Sequence, residues 1–295
     1  MKRLITIGML LFLGSFLVYG IAPYLRIATL NLSMSEARTK VKTVLMDEGY
    51  EILGEYQPGK NPDLYVVAFT GKEIRAVCAK VRDRGLLAAA MKVGFQQTGG
   101  RIEVSVLNPE YLFYAYFREG MKEAGLRNPA LAASAKIISD LKGIGSLSDP
   151  FGGDLSKEEL MKYRYMVGMP EFDDPVKLKE FESFEKGLAG IRKNLKSGKG
   201  NTTMVYELVD PESKTAVFGV GLSDPEEGEA HFLSIIGESH VPAMPYEIIL
   251  EHKQVSMLHG RYRFALHWPE LTMKTFTKIM SSPGDVKDAM ESLVK

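Results

Sequence analysis

The chain has 295 residues, 45% hydrophobic and 25% charged, enough for one large domain or two smaller ones with ordinary cores. Lysine plus arginine total 37, as do aspartate plus glutamate, so no net field draws the chain to nucleic acid. A single cysteine, Cys78, excludes an internal disulfide, a CxxC redox pair, a CxxCH haem attachment and a thiolate zinc cluster.

In chain order, Lys2 and Arg3 precede an uncharged run from Leu4 to about Leu25. As a helix, such a run crosses roughly 30 Å of hydrocarbon. It predicts a retained transmembrane anchor over residues 1–26, with the positive flank in the cytoplasm and the globular part on the periplasmic or extracellular side of the cytoplasmic membrane. The competing reading is a cleaved signal ending near Val18-Tyr19-Gly20, although the run exceeds the about 7 to 15 apolar residues usual there. No cysteine near the N-terminus offers a lipoprotein route.

Residues 33–122 read as a first α+β module. Ser33 and Ser35 can cap a helix reaching Gly49, with Ala37, Val41, Val44 and Leu45 as its apolar stripe. YEILGEY and DLYVVAFT then read as strands around a turn rich in proline and glycine. GKEIRAVCAKVRDRG is a second helix, on whose apolar stripe Cys78 is core filler. AAAMKVGFQQ and RIEVSVL flank Thr98-Gly99-Gly100 as a hairpin, and Asn108 and Pro109 open the helix NPEYLFYAYF.

Residues 123–175 read as a helical connector, with helices predicted in NPALAASAKIISDLKGIG and KEELMKYRYMVGM around the turn-rich SLSDPFGGD. Residues 176–295 read as a second α+β module. VKLKEFESFEKGLAGIRKNL is expected as a helix, TMVYELV and TAVFGVGL as strands, EEGEAHFLSIIG as a short helix, and PYEIILE with QVSML as a hairpin. RYRFALHW is expected as a further strand, after which WPELTMKTF opens the closing helix. NPEYLFYAYF and WPELTMKTF echo each other, so the halves read as an internal duplication packed as a pseudo-dimer, with Ser35–Phe117 matching Val176–Phe276.

The stretches EARTKVKTVLMDEGYEILGEY, PDLYVVAFTGKEIRAVCAK and RGLLAAAMKVGFQQTGGRIEVSVLNPEYL resemble the "domain of unknown function 302" family in order and spacing. The resemblance covers Ser35 to Phe117 and, more faintly, Val176 to Phe276. It implies a small α+β fold that tends to pair, and no established reaction. Where members carry Cys-Asn-Pro and Pro-Cys, this chain has Phe69-Thr70-Gly71 and Ala89-Ala90-Met91.

All five histidines fall in the last quarter of the chain. Read as a strand, Arg261–Trp268 places Tyr262, Phe264, Leu266 and Trp268 on a core face. Arg261, Arg263, Ala265 and His267 then share an open face suited to an anion and hostile to a divalent metal. His240 and Met244 lie in a proline-stiffened loop and are candidate soft-metal or haem ligands. His252 and His259 fall in turns. These residues, His240, Met244, His259, Arg261, Arg263 and His267, form the candidate ligand-binding set. No acid/base dyad or nucleophile elbow is legible. The expectation is a non-catalytic, membrane-anchored extracytoplasmic binding or accessory protein. It would act as a homodimer or within a larger membrane complex, without nucleic acid. The alternative is a haem- or metal-dependent redox protein using the C-terminal histidines.

Overall fold

The computed structural model describes residues 20–295. The predicted anchor lies outside the described residues as far as Tyr19; its expected end does not. Ile21 is bridged to Leu155 through both backbone amides (2.7 and 3.2 Å), and β1 (Tyr24–Leu30) is an interior strand of a sheet with Tyr24 fully buried. The uncharged run therefore divides: Ile21 to Leu25 belong to the folded domain, whose first module begins before residue 33. Among the described residues, no helix is long and apolar enough to cross a membrane.

After β1, Ser33 and Glu36 form a reciprocal capping box that starts α1 (Met34–Asp47), and Ala37, Val41 and Leu45 are its buried stripe. Then come β2 (Glu51–Tyr56), β3 (Leu64–Thr70), α2 (Lys72–Cys78), β4 (Met91–Thr98), β5 (Arg101–Leu107) and α3 (Pro109–Phe117). Cys78 is buried, as its place on the α2 stripe requires, and burial pushes its thiol pKa up. Gly99 and Gly100 turn the β4–β5 hairpin at φ of 59° and 77°, values that cost glycine little.

The connector contains α4 (Ala124–Asp140), β6 (Asp149–Phe151) and α5 (Lys157–Met161). It is more than a helical link, because β6 pairs with β1 and Arg26 bridges Glu103 (2.9 Å) and Asp149 (2.6 Å) across three strands. Its second helix stops at Met161.

The second module runs β7 (Val176–Glu180), α6 (Phe184–Lys196), β8 (Thr202–Asp210), β9 (Thr215–Leu222), α7 (Glu229–Ile236), β10 (Tyr246–Glu251), β11 (Gln254–Met257) and α8 (Gly260–His267). It closes with α9 (Met273–Phe276) and α10 (Ser282–Ser292). Two expectations are corrected here. Val176–Glu180 is a strand and not the start of a helix, because its backbone completes the edge beside β11. Gly260–His267 is a helix and not a strand; every residue in it but Arg261 is buried, so it is enclosed on all sides and lacks the periodicity of an amphipathic helix.

The sheets are ordered β2-β3-β4-β5-β1-β6 and β8-β9-β10-β11-β7. The first five strands of one therefore correspond one by one to the strands of the other. The irregularities correspond too. Leu53 bulges from β2 opposite β3, and Val205 from β8 opposite β9; Ile27 bulges from β1 opposite β5, and Leu178 from β7 opposite β11. In this register α3 matches α8, so Asn108 answers to His259 and not to Trp268, and the similar letters at Pro109 and Pro269 mark places that do not correspond.

Candidate functional site

The two sheets meet through short 3-10 segments that precede β4 and β10. Glu238–Ala243 packs on β4, where a Cβ on Gly94 would stand 2.6 Å from Val241; Gly85–Ala89 packs reciprocally against β9. Lys92 lies two residues before Gly94 and so shares its face. Across the interface its ammonium meets the Glu247 carboxylate, with both side chains buried. Lys92 pairs with Ala68 just past the β2 bulge, and Glu247 with Gly219 just past the β8 bulge. They are therefore the same position of the two sheets, in contact with each other.

Arg263 completes the cluster from α8. It donates to Glu247 (3.2 Å) and to the carbonyls of Ala243 (2.5 Å) and Pro245 (2.8 Å), with its guanidinium 3.8 Å from the centre of the Tyr246 ring. Burial lowers the pKa of Lys92, an effect opposed by Glu247. Two buried cations sharing one carboxylate are tolerable only because each is paired or hydrogen-bonded.

α8 ends inside the molecule, where its last carbonyls have no helical partners. Three tyrosines supply them. Tyr163 donates to Ala265 O (2.8 Å), Tyr111 to Leu266 O (2.7 Å) and Tyr24 to His267 O (2.8 Å). The His267 ring is buried between the hydroxyls of Tyr24 and Tyr116 at 3.4 and 3.5 Å. Desolvation, then Arg263 and Lys92, hold its pKa well below the usual histidine value. The open face expected for Arg263 and His267 does not exist; both are interior, because a helix and not a strand carries them.

His240 is also buried, with Tyr24 and Trp268 ring centres 5.0 and 5.5 Å away, and burial lowers its pKa to about 4. Its Nε2 is 3.6 Å from Glu270, and Met244 is buried. His259 caps α8 by accepting from Arg261 N at 3.2 Å, as Asn108 caps α3. His252 occupies a turn with φ of 52°. Among the described residues no group of three or more His, Cys, Asp or Glu side chains could hold a metal ion. The candidate set thus splits into interior packing (His240, Met244, Arg263, His267), a helix cap (His259) and one exposed cation, Arg261.

Arg261 borders a shallow apolar groove of about 60 Å³, formed by Met166, Met169, Tyr262, Leu271, Met273 and Phe276. A second, roomier hollow of about 230 Å³ lies where Tyr56 and Gly59 meet α7. There Glu229, the first residue of α7, accepts from Tyr56 Oη (2.9 Å) and Gly59 N (3.0 Å), and burial pushes its pKa up to about 7. Lys92, Glu247 and Glu229 escaped the sequence reading. A signal for the first two existed: each is a lone charge inside an otherwise apolar strand, in AMKVGF and PYEIIL.

No family model matches the chain, and no curated protein matches it. Among solved structures, the chain is similar to one described as the uncharacterized conserved protein DUF302 from Bacillus stearothermophilus. The two share 15% identity and a TM-score of 0.33, over 42% of this chain and 98% of the other.

Proposed function

We propose that this is a non-catalytic, extracytoplasmic binding or accessory protein, attached to the membrane by its N-terminal segment. Its ligand site is the groove beside Arg261. The observation that carries the reading is the contrast in how charge is used. The buried cations Lys92 and Arg263 and the His267 ring are committed to partners within the protein, whereas Arg261 stands exposed at the edge of an almost wholly apolar recess. An apolar recess with one cation suits an acyl or other apolar body bearing a single anionic group. The described residues from Gly20 onward leave Leu4 to Tyr19 for the membrane segment, sixteen residues, which as a helix would reach roughly 24 Å, the short end of a span.

We also propose that the two modules are copies of one unit related to the family that the sequence resembles, paired as a pseudo-dimer. The shared strand order and matching bulges support this. The test of function is titration with a dansyl-labelled medium-chain fatty acid. Wild-type protein should bind it, Arg261→Ala should weaken binding by about tenfold, as loss of one charged contact does, and Met169→Trp should fill the recess and abolish binding. Equal binding by all three would remove the groove as the site. A Soret band or stoichiometric metal in protein purified from its own membranes would favour the haem or metal reading instead.

A further inference from the structure

We infer that the face around this groove docks on an anionic phospholipid surface, so that the groove opens into the headgroup layer. This rests on the reading of the N-terminal segment as a membrane attachment and adds to it an orientation and a lipid class.

Three independent observations converge on this face. The first is the absence of a spacer. Leu4 to Tyr19 contain no charged residue, and the backbone is already fixed at Ile21 by its bridge to Leu155. Beside this bridge, a Cβ on Gly153 would lie 3.3 Å from Pro269 and 3.6 Å from Glu270 N, and Leu271, a wall of the groove, follows at once. Whatever holds the segment before Gly20 must therefore hold this surface within a few residues of it.

Exposed apolar side chains provide the second. Tyr165, Met166, Val167, Met273 and Met280 are all large and exposed, Val167 at 86%. They come from two segments that both contribute to the groove. A water-facing surface gives no reason to gather them.

Charge provides the third. From Met273 to Met280 the chain is helical, α9 running into the 3-10 turn Thr277–Ile279. Met273, Phe276 and Met280 recur at helical spacing, and Lys274 and Lys278, four apart, form the adjoining stripe. Lys274, Lys278 and Arg261 make no ion pair among the described residues, whereas Glu171 is engaged by Arg164 and Asp173 by Arg118. Apolar side chains that enter the interface beside cations that reach the headgroups are the combination an anionic bilayer selects.

The test uses the full chain in phospholipid vesicles, in a Cys78→Ala background, with an environment-sensitive nitrobenzoxadiazole label on Val167→Cys or Met273→Cys. Met46→Cys and Met204→Cys, exposed positions elsewhere, serve as controls. In phosphatidylglycerol vesicles the labels at 167 and 273 should brighten about threefold or more, as for burial at the interface. They should dim in phosphatidylcholine vesicles, or when Lys274→Glu and Lys278→Glu are combined. Labels at 167 and 273 that stay as water-exposed as those at 46 and 204 would overturn the inference. So would labels shielded equally in phosphatidylglycerol and in detergent in which the protein runs as a dimer, since a second copy would then cover the face. Carbonate washing scores the attachment separately. A chain released by the wash after showing bright labels would retain the docking face and sink only the anchor.

Discussion

The two sheets share order, register and bulges, yet at the point where they touch they differ in charge. Position for position, the first carries Lys92 where the second carries Glu247, and these two side chains meet in the interior. Two identical modules packed in this way would bring like charges together, at a cost of several kcal/mol. The first module likewise has exposed Lys72 at the start of α2, where the second has buried Glu229 at the start of α7, tied to Tyr56 and Gly59 of its neighbour. Each difference makes the interface one-directional. The paired arrangement therefore needs two unlike halves, and covalent linkage supplies both in one-to-one ratio.

The strongest way to break this comparison is to make the halves alike. Lys92→Glu would oppose two buried carboxylates with only Arg263 between them, and should cost roughly 3 to 5 kcal/mol in urea denaturation. Lys92→Met leaves Glu247 paired with Arg263 and should cost less, about 1 to 2 kcal/mol. Equal losses would mean that the charge pair does not discriminate between like and unlike halves.

The second module also carries the titrations. Glu229 has its pKa raised from 4.5 to about 7 in the folded state, so its contribution to stability is fully present below pH 4.5 and is lost as pH rises through 7. The total change is at most about 3 kcal/mol. His240 has its pKa lowered from 6.5 to about 4, so its contribution is present above pH 6.5 and is lost as pH falls through 4. The two slopes oppose each other between these values. Against wild type, Glu229→Gln should make stability rise more steeply with pH over this window, and His240→Phe should make it rise less steeply, the contribution of His267 remaining in both. Denaturation midpoints for both variants that stay parallel to wild type from pH 4 to 7.5 would refute the assignment.

The corresponding helices α3 and α8 sharpen the contrast at smaller amplitude. α8 is closed by three tyrosine hydroxyls, and Tyr24→Phe, Tyr111→Phe or Tyr163→Phe should each cost about 1 to 3 kcal/mol by leaving a buried carbonyl unpaired. The matching N-caps, Asn108 on α3 and His259 on α8, should differ least. Asn108→Ala is expected to cost about 1 kcal/mol, and slightly more than that because its amide also donates to Ala22 O at 2.8 Å. His259→Ala should cost less, as a longer cap bond in a more exposed place. Thermal melts of the two variants would rank them.

Much of this architecture was legible from local pattern. Ser33 with Glu36, the alternation on either side of Gly99-Gly100, and the run TAVFGVGL all carry their own backbone preference, and they became α1, the β4–β5 hairpin and β9 where expected. Composition alone ruled out an internal disulfide, a CxxC pair and a thiolate zinc cluster. What the sequence could not determine was anything that depends on being enclosed from several sides. Gly260–His267 alternates like a strand in its letters, but lies between two sheets and a connector, where burial on every side removes the amphipathic signal and lets the helix form. Val176–Glu180 became a strand because β11 offered it an open edge, and Ile21–Leu25 joined the sheet for the same kind of reason, although its apolarity alone suits a membrane equally well. The fate of the histidines and arginines was decided with α8: once the helix was inside, Arg263 had to find Glu247, His267 had to stay neutral, and Arg261, one residue from the helix start, was the cation left facing the groove. Side-chain chemistry is written in the sequence, but which charges are enclosed together is set by which distant strands meet, and only the tertiary structure brings Lys92 to Glu247 across 155 residues.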